Sequence, residues 1–175
     1  MNMGNIYKSN SFLSFTLGDE SFATNVAKVL NILEMIKIIK VPKSPDYMLG
    51  VINLRGSVLP LIDLRIKFGM KQTAYTTKTC ILVLEVEIDK ELLKVGALVD
   101  SVQEVFEVTP EKIQPPPNIG SKYKSDIIYG IAKISEEFIM LLDMDKIFLT
   151  QELTDLKYEP EKISKKESKE NLSVE

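Results

Sequence analysis

GVINLRGSVLPLIDLRIKFG, residues 50–69, places two short apolar runs around Arg55-Gly56-Ser57, then an aspartate, one turn's worth of residues and a closing glycine. Gly50–Leu54 and Val58–Ile62 read as a hairpin, with Gly56 supplying the positive φ that side chains resist. Pro60 cannot donate to a strand ladder, so it predicts an edge strand or a bulge in the second run. Asp63 predicts an N-cap for a one-turn helix over Leu64–Phe68, with Gly69 as the residue that ends it.

The same grammar occurs twice. Sliding the chain by 80 residues lays 50–68 on 130–148 without a gap, so that Gly50 meets Gly130, Leu61 meets Leu141, Asp63 meets Asp143 and Phe68 meets Phe148. Val51/Ile131, Leu54/Ile134, Val58/Phe138, Leu59/Ile139, Ile62/Leu142 and Leu64/Met144 are apolar on both sides. Apolar matches alone would mean little among β-rich segments, but the Gly and Asp matches repeat turn and cap chemistry at fixed spacing. Upstream, Val26, Val29 and Ile32 align with Val99, Val102 and Val105 at a smaller shift, because the second copy carries a longer hairpin. The expectation is an all-β chain of two related barrels of about five short strands each. Neither half has a generous core, so the two must bury apolar faces against each other. A seam between them would be lined by the two aligned valine and isoleucine segments.

Outward from the repeat, Phe12–Leu17 reads as a strand, Gly18-Asp19-Glu20 as its turn and Phe22–Thr24 as the return. Asn25 predicts the cap of a single turn over Val26–Lys28, and the chain extends again through Leu30–Met35. Residues 70–78 form a polar linker, Thr79–Val86 and Leu93–Val99 a long hairpin around Glu87–Glu91, and Val102–Phe106 a further strand. Pro115-Pro116-Pro117 reads as a stiff elbow. Ile127–Ile134 and Phe138–Leu142 are the last strands, followed by a short helix over Met144–Leu149. The expected organisation is a flexible N-terminus at 1–11, one domain at 12–149 built from approximate copies 12–68 and 80–148, and a tail at 150–175. Of residues 151–175, twelve are charged with both signs mixed, which predicts a frayed helix or a disordered segment outside the core.

Composition excludes several functions. The chain has no histidine, which removes the commonest general base and most zinc sites. No phosphate-cradling glycine loop or calcium loop is present, and no paired carboxylates stand in a pocket-forming motif. The reading is a non-enzyme with no catalytic residue, metal or cofactor. A net charge of −3 with scattered lysines is a poor footprint for nucleic acid. No apolar run has the length of a membrane span, and the polar N-terminus lacks a secretory h-region, which places the expected protein in the cytoplasm without membrane insertion. The lone Cys80 lies in an apolar run and reads as an inert thiol.

Lysines number twenty and arginines two, so an arginine suggests a need for a planar guanidinium with several donors. Arg55 either ties down its own turn through backbone carbonyls or faces a partner, and the two roles are compatible. Arg65 reads as a solvated helix face.

The block 50–69 resembles the signature of the CheW-like family of bacterial chemotaxis coupling proteins. FTLGDE (15–20), VGALVDSVQEV (95–105), PEKIQPPP (110–117), YGIAKI (129–134) and LLDMDKIF (141–148) resemble it too, in order and at suitable spacing. The resemblance covers about 12–149. It implies two five-stranded SH3-like barrels around a hydrophobic seam, to which the residues themselves add the short one-turn helices and the charged tail. It implies a non-enzymatic adaptor that couples the cytoplasmic tip of methyl-accepting chemoreceptors to the regulatory domain of the histidine kinase CheA. An adaptor of a non-chemotaxis chemosensory pathway is the alternative. Carried over by position, the partner-binding residues are Val26, Val29, Asn31, Ile32, Arg55, Gly56, Val99, Val102 and Val105. The family commonly reads V-x-E-I where this chain has Val29-Leu30-Asn31-Ile32. Asn31 supplies no charge for the turn arginine, only a neutral acceptor. Receptor choice or coupling strength is therefore expected to differ.

Overall fold

The computed structural model describes residues 9–116 and 127–148. Among these residues ten strands run in chain order as β1 (Ser11–Leu17), β2 (Glu20–Asn25), β3 (Val29–Glu34), β4 (Met48–Leu54), β5 (Ser57–Asp63), β6 (Cys80–Ile88), β7 (Glu91–Val99), β8 (Ser101–Glu107), β9 (Ile128–Ile134) and β10 (Glu137–Leu142). Helix α1 spans Leu64–Lys67 and α2 spans Met144–Phe148, with single 3-10 turns at Val26–Lys28 and Pro110–Lys112.

The strands form two five-stranded sheets of orders β8-β1-β2-β10-β9 and β3-β6-β7-β5-β4. Each sheet therefore takes two strands from one half of the repeat and three from the other. One sheet joins β1 and β2 to β8, β9 and β10; the other joins β6 and β7 to β3, β4 and β5. Both halves use the same step, a parallel pairing after the second hairpin: Leu141 beside Ala23 and Leu61 beside Gly96.

Two isolated ladders bring the edges of each sheet together. Beyond β3, Ile39 and Val51 of β4 exchange N–H···O bonds of 2.8 Å; beyond β8, Gln114 and Ile131 of β9 do so at 2.9 Å. Here lies the reason for the repeated glycine. A Cβ on Gly50 would collide with the Ile39 carbonyl, and one on Gly130 with the Ile113 side chain. Gly50 also holds a φ of +144°, a conformation side chains resist.

Alternating side chains sort three apolar clusters. In β1, Leu13, Phe15 and Leu17 face the centre of the molecule while Phe12 points into the first barrel; in β6, Leu82, Leu84, Val86 and Ile88 face the centre while Ile81 and Val83 fill the second. The central cluster draws on both sheets and both helices. Repeat-related residues fill the barrels: Ala132, Ile139 and Leu141 in one, Ile52, Leu59 and Leu61 in the other. Each large aliphatic buried this way contributes about 2 kcal/mol.

Local chemistry follows the sequence closely. Asn25 Oδ1 accepts from Ala27 N at 2.9 Å, and Asp63 Oδ1 from Arg65 N at 2.9 Å. Gly69 closes α1 with φ +72°. Three of the hairpin turns place two successive residues at positive φ, namely Arg55-Gly56, Asp89-Lys90 and Ser135-Glu136. That twist suits right-handed strand pairs. The β6–β7 hairpin is longer than expected, turning only at Asp89-Lys90. Of the two readings of Pro60 the edge fails, since β5 is an interior strand; the β4–β5 ladder does carry a bulge, but between Met48 and Gly50 on the facing strand. The pairing of β5 with β7 covers Leu61–Asp63, so Pro60 sits just before the doubly flanked stretch and withholds no ladder bond there. Pro117, residues 1–8 and the tail from 149 onward lie outside the described residues.

Candidate protein-docking seam

Strand register decides which way the candidate seam residues face. Val29 stands opposite Leu84 and Ile32 opposite Leu82; Val102 stands opposite Phe15 and Val105 opposite Leu13. Directly paired residues share a face of the sheet, and all four partners belong to the central cluster. Val29 and Ile32 therefore lie on the face of one sheet that is turned toward the other, and Val102 and Val105 on the matching face of the second. A register slip enables this in each ladder, between Val29 and Asn31 in one and between Leu13 and Phe15 in the other.

Along both strands the cover runs out. Val26, Val29 and Val102 are half-buried against the central cluster. Ile32 is 46% exposed and Val105 59%. Each strip is thus anchored at its inner end and bare at its outer end, presenting β-branched side chains with little rotamer freedom to lose on binding. Val99 is fully buried, a core residue at the end of β7 rather than part of a lining.

Asn31 stands opposite Val83, which fills the second barrel. Past the bulge it faces away from Ile32, and its Oδ1 accepts from the Ile32 backbone N–H at 2.9 Å. Arg55 is exposed at φ +52° and makes no hydrogen bond or ion pair with the described residues. Its turn is held instead by Asn53, whose Oδ1 accepts from Gly56 N at 2.9 Å. Among the described residues the expected tie between Arg55 and its own turn is absent, and so is a bond between Arg55 and Asn31. Gly56, at φ +85°, has open space around it. Among the described residues the five donors of Arg55 are therefore unspent, in a hairpin whose Val58 is 64% accessible.

Arg65 overturns its reading as a solvated helix face. It is fully buried. Nη2 meets Asp63 Oδ2 at 3.0 Å, and Nη1 meets Asp100 Oδ1 at 2.8 Å and Thr73 Oγ1 at 2.6 Å. The Tyr75 ring lies 5.7 Å from the guanidinium. Burial alone would lower the pKa, but the hydrogen bond and charge of Asp63, with the charge of Asp100, outweigh it and hold it above the usual value. The multi-donor geometry that a rare arginine suggests is found here, not at the Arg55 turn.

Two five-stranded sheets exchanging strands between related halves, with an apolar centre between them and aliphatic strips leading out of it, define an all-β domain of two intertwined barrels. The chain belongs to the CheW-like domain family, which matches residues 11–152. It is 40% identical over 136 residues to the probable chemotaxis protein CheW of Rhizobium etli, covering 78% of this chain and 85% of that one. It is 32% identical over 142 residues to the chemotaxis protein CheW of Klebsiella aerogenes, covering 81% and 83%. The crystal structure of the scaffolding protein CheW from Thermoanaerobacter tengcongensis superposes with a TM-score of 0.71 at 28% identity, covering 81% of this chain and 89% of that chain. The chain is accordingly a scaffolding protein of chemotaxis signal transduction. No helix among the described residues is long and apolar enough to cross a membrane.

Proposed function

We propose that this protein is a non-enzymatic coupling protein that joins the cytoplasmic tips of methyl-accepting chemoreceptors to the regulatory domain of the histidine kinase CheA. On this reading it is cytoplasmic and is recruited to receptor arrays at the membrane. The observation that carries the receptor half is the pair of strips Val29/Ile32 and Val102/Val105, half covered by the central cluster and half bare. An apolar stripe of a receptor helix would complete them, as helix-in-groove recognition requires. Arg55 and Gly56 would supply a polar contact at the rim, where a guanidinium suits a carboxylate of the receptor.

Asn31 belongs to this proposal in a modified form. A glutamate there would bring a charge to the neighbourhood of Ile32, and Asn31→Glu is expected to alter receptor coupling strength in a reconstituted array. Unchanged receptor and kinase binding in that variant would end the idea.

The direct test is retention of receptor-tip and kinase fragments by immobilised full-length protein, beside Arg55→Ala and Ile32→Glu. The wild type should hold both, and the variants should lose receptor preferentially. A wild type that holds neither sinks the proposal.

A further inference from the structure

Two polar clasps stand at repeat-related places, with their charges reversed. In the first, Asp100, at the crossover from β7 to β8, accepts from Gly18 N at 2.6 Å through Oδ2 and from Arg65 Nη1 at 2.8 Å through Oδ1. In the second, Asp145 of α2 accepts from Glu87 N at 2.8 Å through Oδ1, and Lys28, at the crossover from β2 to β3, meets both its oxygens at 2.8 and 2.9 Å. Arg65 and Asp145 occupy the same place in the two helices, since the shift of 80 that superposes Asp63 on Asp143 also superposes them. Gly18 and Glu87 correspond too: Ser14 pairs with Ala23 and Val83 with Gly96, the residues at the two parallel steps, and Gly18 and Glu87 each lie four positions beyond. At the shift that sets Val26 against Val99, Lys28 falls one residue past Asp100 in the corresponding crossover. In both clasps a carboxylate takes a hairpin N–H and also bonds a cation of the other half.

The source of the charges is what matters. Strands β1–β5 with α1 contribute the cations, Lys28 and Arg65; strands β6–β10 with α2 contribute the anions, Asp100 and Asp145. Both ion pairs therefore cross between halves. Both are well shielded: Lys28 is 13% exposed and Asp145 30%, Arg65 1% and Asp100 20%. Such shielding preserves the sign preference against salt.

A chain built from two similar halves has an alternative fold available to it. Two copies could pair first half with first half and second with second, burying the same apolar faces. In the first arrangement Arg65 would meet Lys28, and no carboxylate would reach the Gly18 N–H. In the second Asp100 would meet Asp145. Asp63 stays with Arg65 in every arrangement, because both lie in the first half.

We propose that the two clasps are a pairing code that admits only unlike halves and rejects like-with-like assembly between two copies of this chain. Specificity of this kind arises from penalising the competitor as well as stabilising the native state.

The test is Lys28→Asp with Asp145→Lys in the full-length chain. Each half then carries one cation and one anion, so the native pairing stays complementary and the like-with-like pairing becomes complementary too. An equal mixture of unlabelled and 15N-labelled chains is refolded from urea at high concentration and sized by chromatography with light scattering. Zero-length carbodiimide cross-links are then mapped by mass spectrometry. The wild type should return as monomer. The double variant should raise the dimer-to-monomer ratio on the order of tenfold, with interchain links from position 145 of one copy to Asp100 of the other, the mark of second half against second half. A monomer yield equal to the wild type overturns the proposal, as do dimers whose interchain links join only positions 145 and 28. Should this variant fail to fold for want of an acceptor at Glu87 N, Lys28→Glu with Asp145→Gln keeps an amide oxygen there and removes both like-charge encounters. It must show the same rise in dimer, and its absence overturns the proposal equally.

Discussion

The guanidinium of Arg65 stands 2.8 Å from the carboxylate of Asp100, a residue 35 positions away, and joins α1 to the corner where the chain leaves one sheet for the other. Asp63, fully buried beside it, relies on the same cation. Removing the arginine strands a buried carboxylate, which typically costs about 3–5 kcal/mol. Arg65→Met should therefore lower the urea midpoint at unchanged m-value, by that cost divided by m. Arg65→Lys should recover only part of it, because one ammonium cannot reach Asp63, Asp100 and Thr73 together.

Gly50 and Gly130 perform the same task in the two barrels, letting a closing segment lie against the strand. Alanine at either place pushes that segment away, at about 1–3 kcal/mol for overpacking. Gly50→Ala should be the more damaging, since its φ of +144° adds backbone strain. Thermal unfolding measures both. Equal midpoints for Gly50→Ala and the wild type would contradict the account of barrel closure.

Much of this fold is legible in the sequence because turns and caps are local. Asp63, Asn25 and Gly69 act within a few residues of themselves, and each does in the structure what its type and spacing predict. The repeat is legible for the same reason, since Gly50/Gly130 and Asp63/Asp143 repeat local chemistry. What cannot be read is who pairs with whom across distance. The strand exchange between halves depends on contacts such as Leu61 beside Gly96, and period-2 patterning carries no address. Arg65 illustrates the same limit: its helix is one turn long, too short for a face to be inferred, and its partners Thr73 and Asp100 come from a polar linker and a strand corner. The seam falls between these cases. Val29, Ile32, Val102 and Val105 are visible as aligned apolar positions, but the two bulges that set their faces leave no mark in composition. Val99 and Val105 are both valines of one stretch, but Val99 ends the interior strand β7 of one sheet and Val105 lies on the edge strand β8 of the other, which separates core from surface.

Cys80 is half-buried on β6, and burial raises its pKa above the usual thiol value, partly offset by a hydrogen bond with the Val102 backbone. A raised thiol pKa leaves the protonated, unreactive form dominant at neutral pH. Alkylation by iodoacetamide in the native protein should be slower than in urea at pH 7.5. It should quicken as pH rises through and beyond the ordinary thiol range. Native labelling as fast as unfolded labelling at pH 7.5 would contradict this placement.

The seam predicts a separation between stability and binding that ordinary core mutations cannot give. Ile32 and Val105 are 46% and 59% exposed, so a glutamate at either meets water and should change unfolding free energy by about 0.5 kcal/mol or less. The same substitution at Val99, fully buried, places a carboxylate in the central cluster without a partner and should unfold the protein or cost several kcal/mol. Binding should order them differently. Ile32→Glu and Val105→Glu should weaken retention of receptor-tip fragments by about tenfold or more, as loss of an interface anchor does, while Arg65→Lys, away from the strips, should bind in proportion to its folded fraction. Urea titration and quantitative pull-down on the same preparations separate the two effects. If Ile32→Glu and Val105→Glu bind receptor as the wild type does while remaining folded, the exposed strips are ordinary surface and receptor docking lies elsewhere on the molecule.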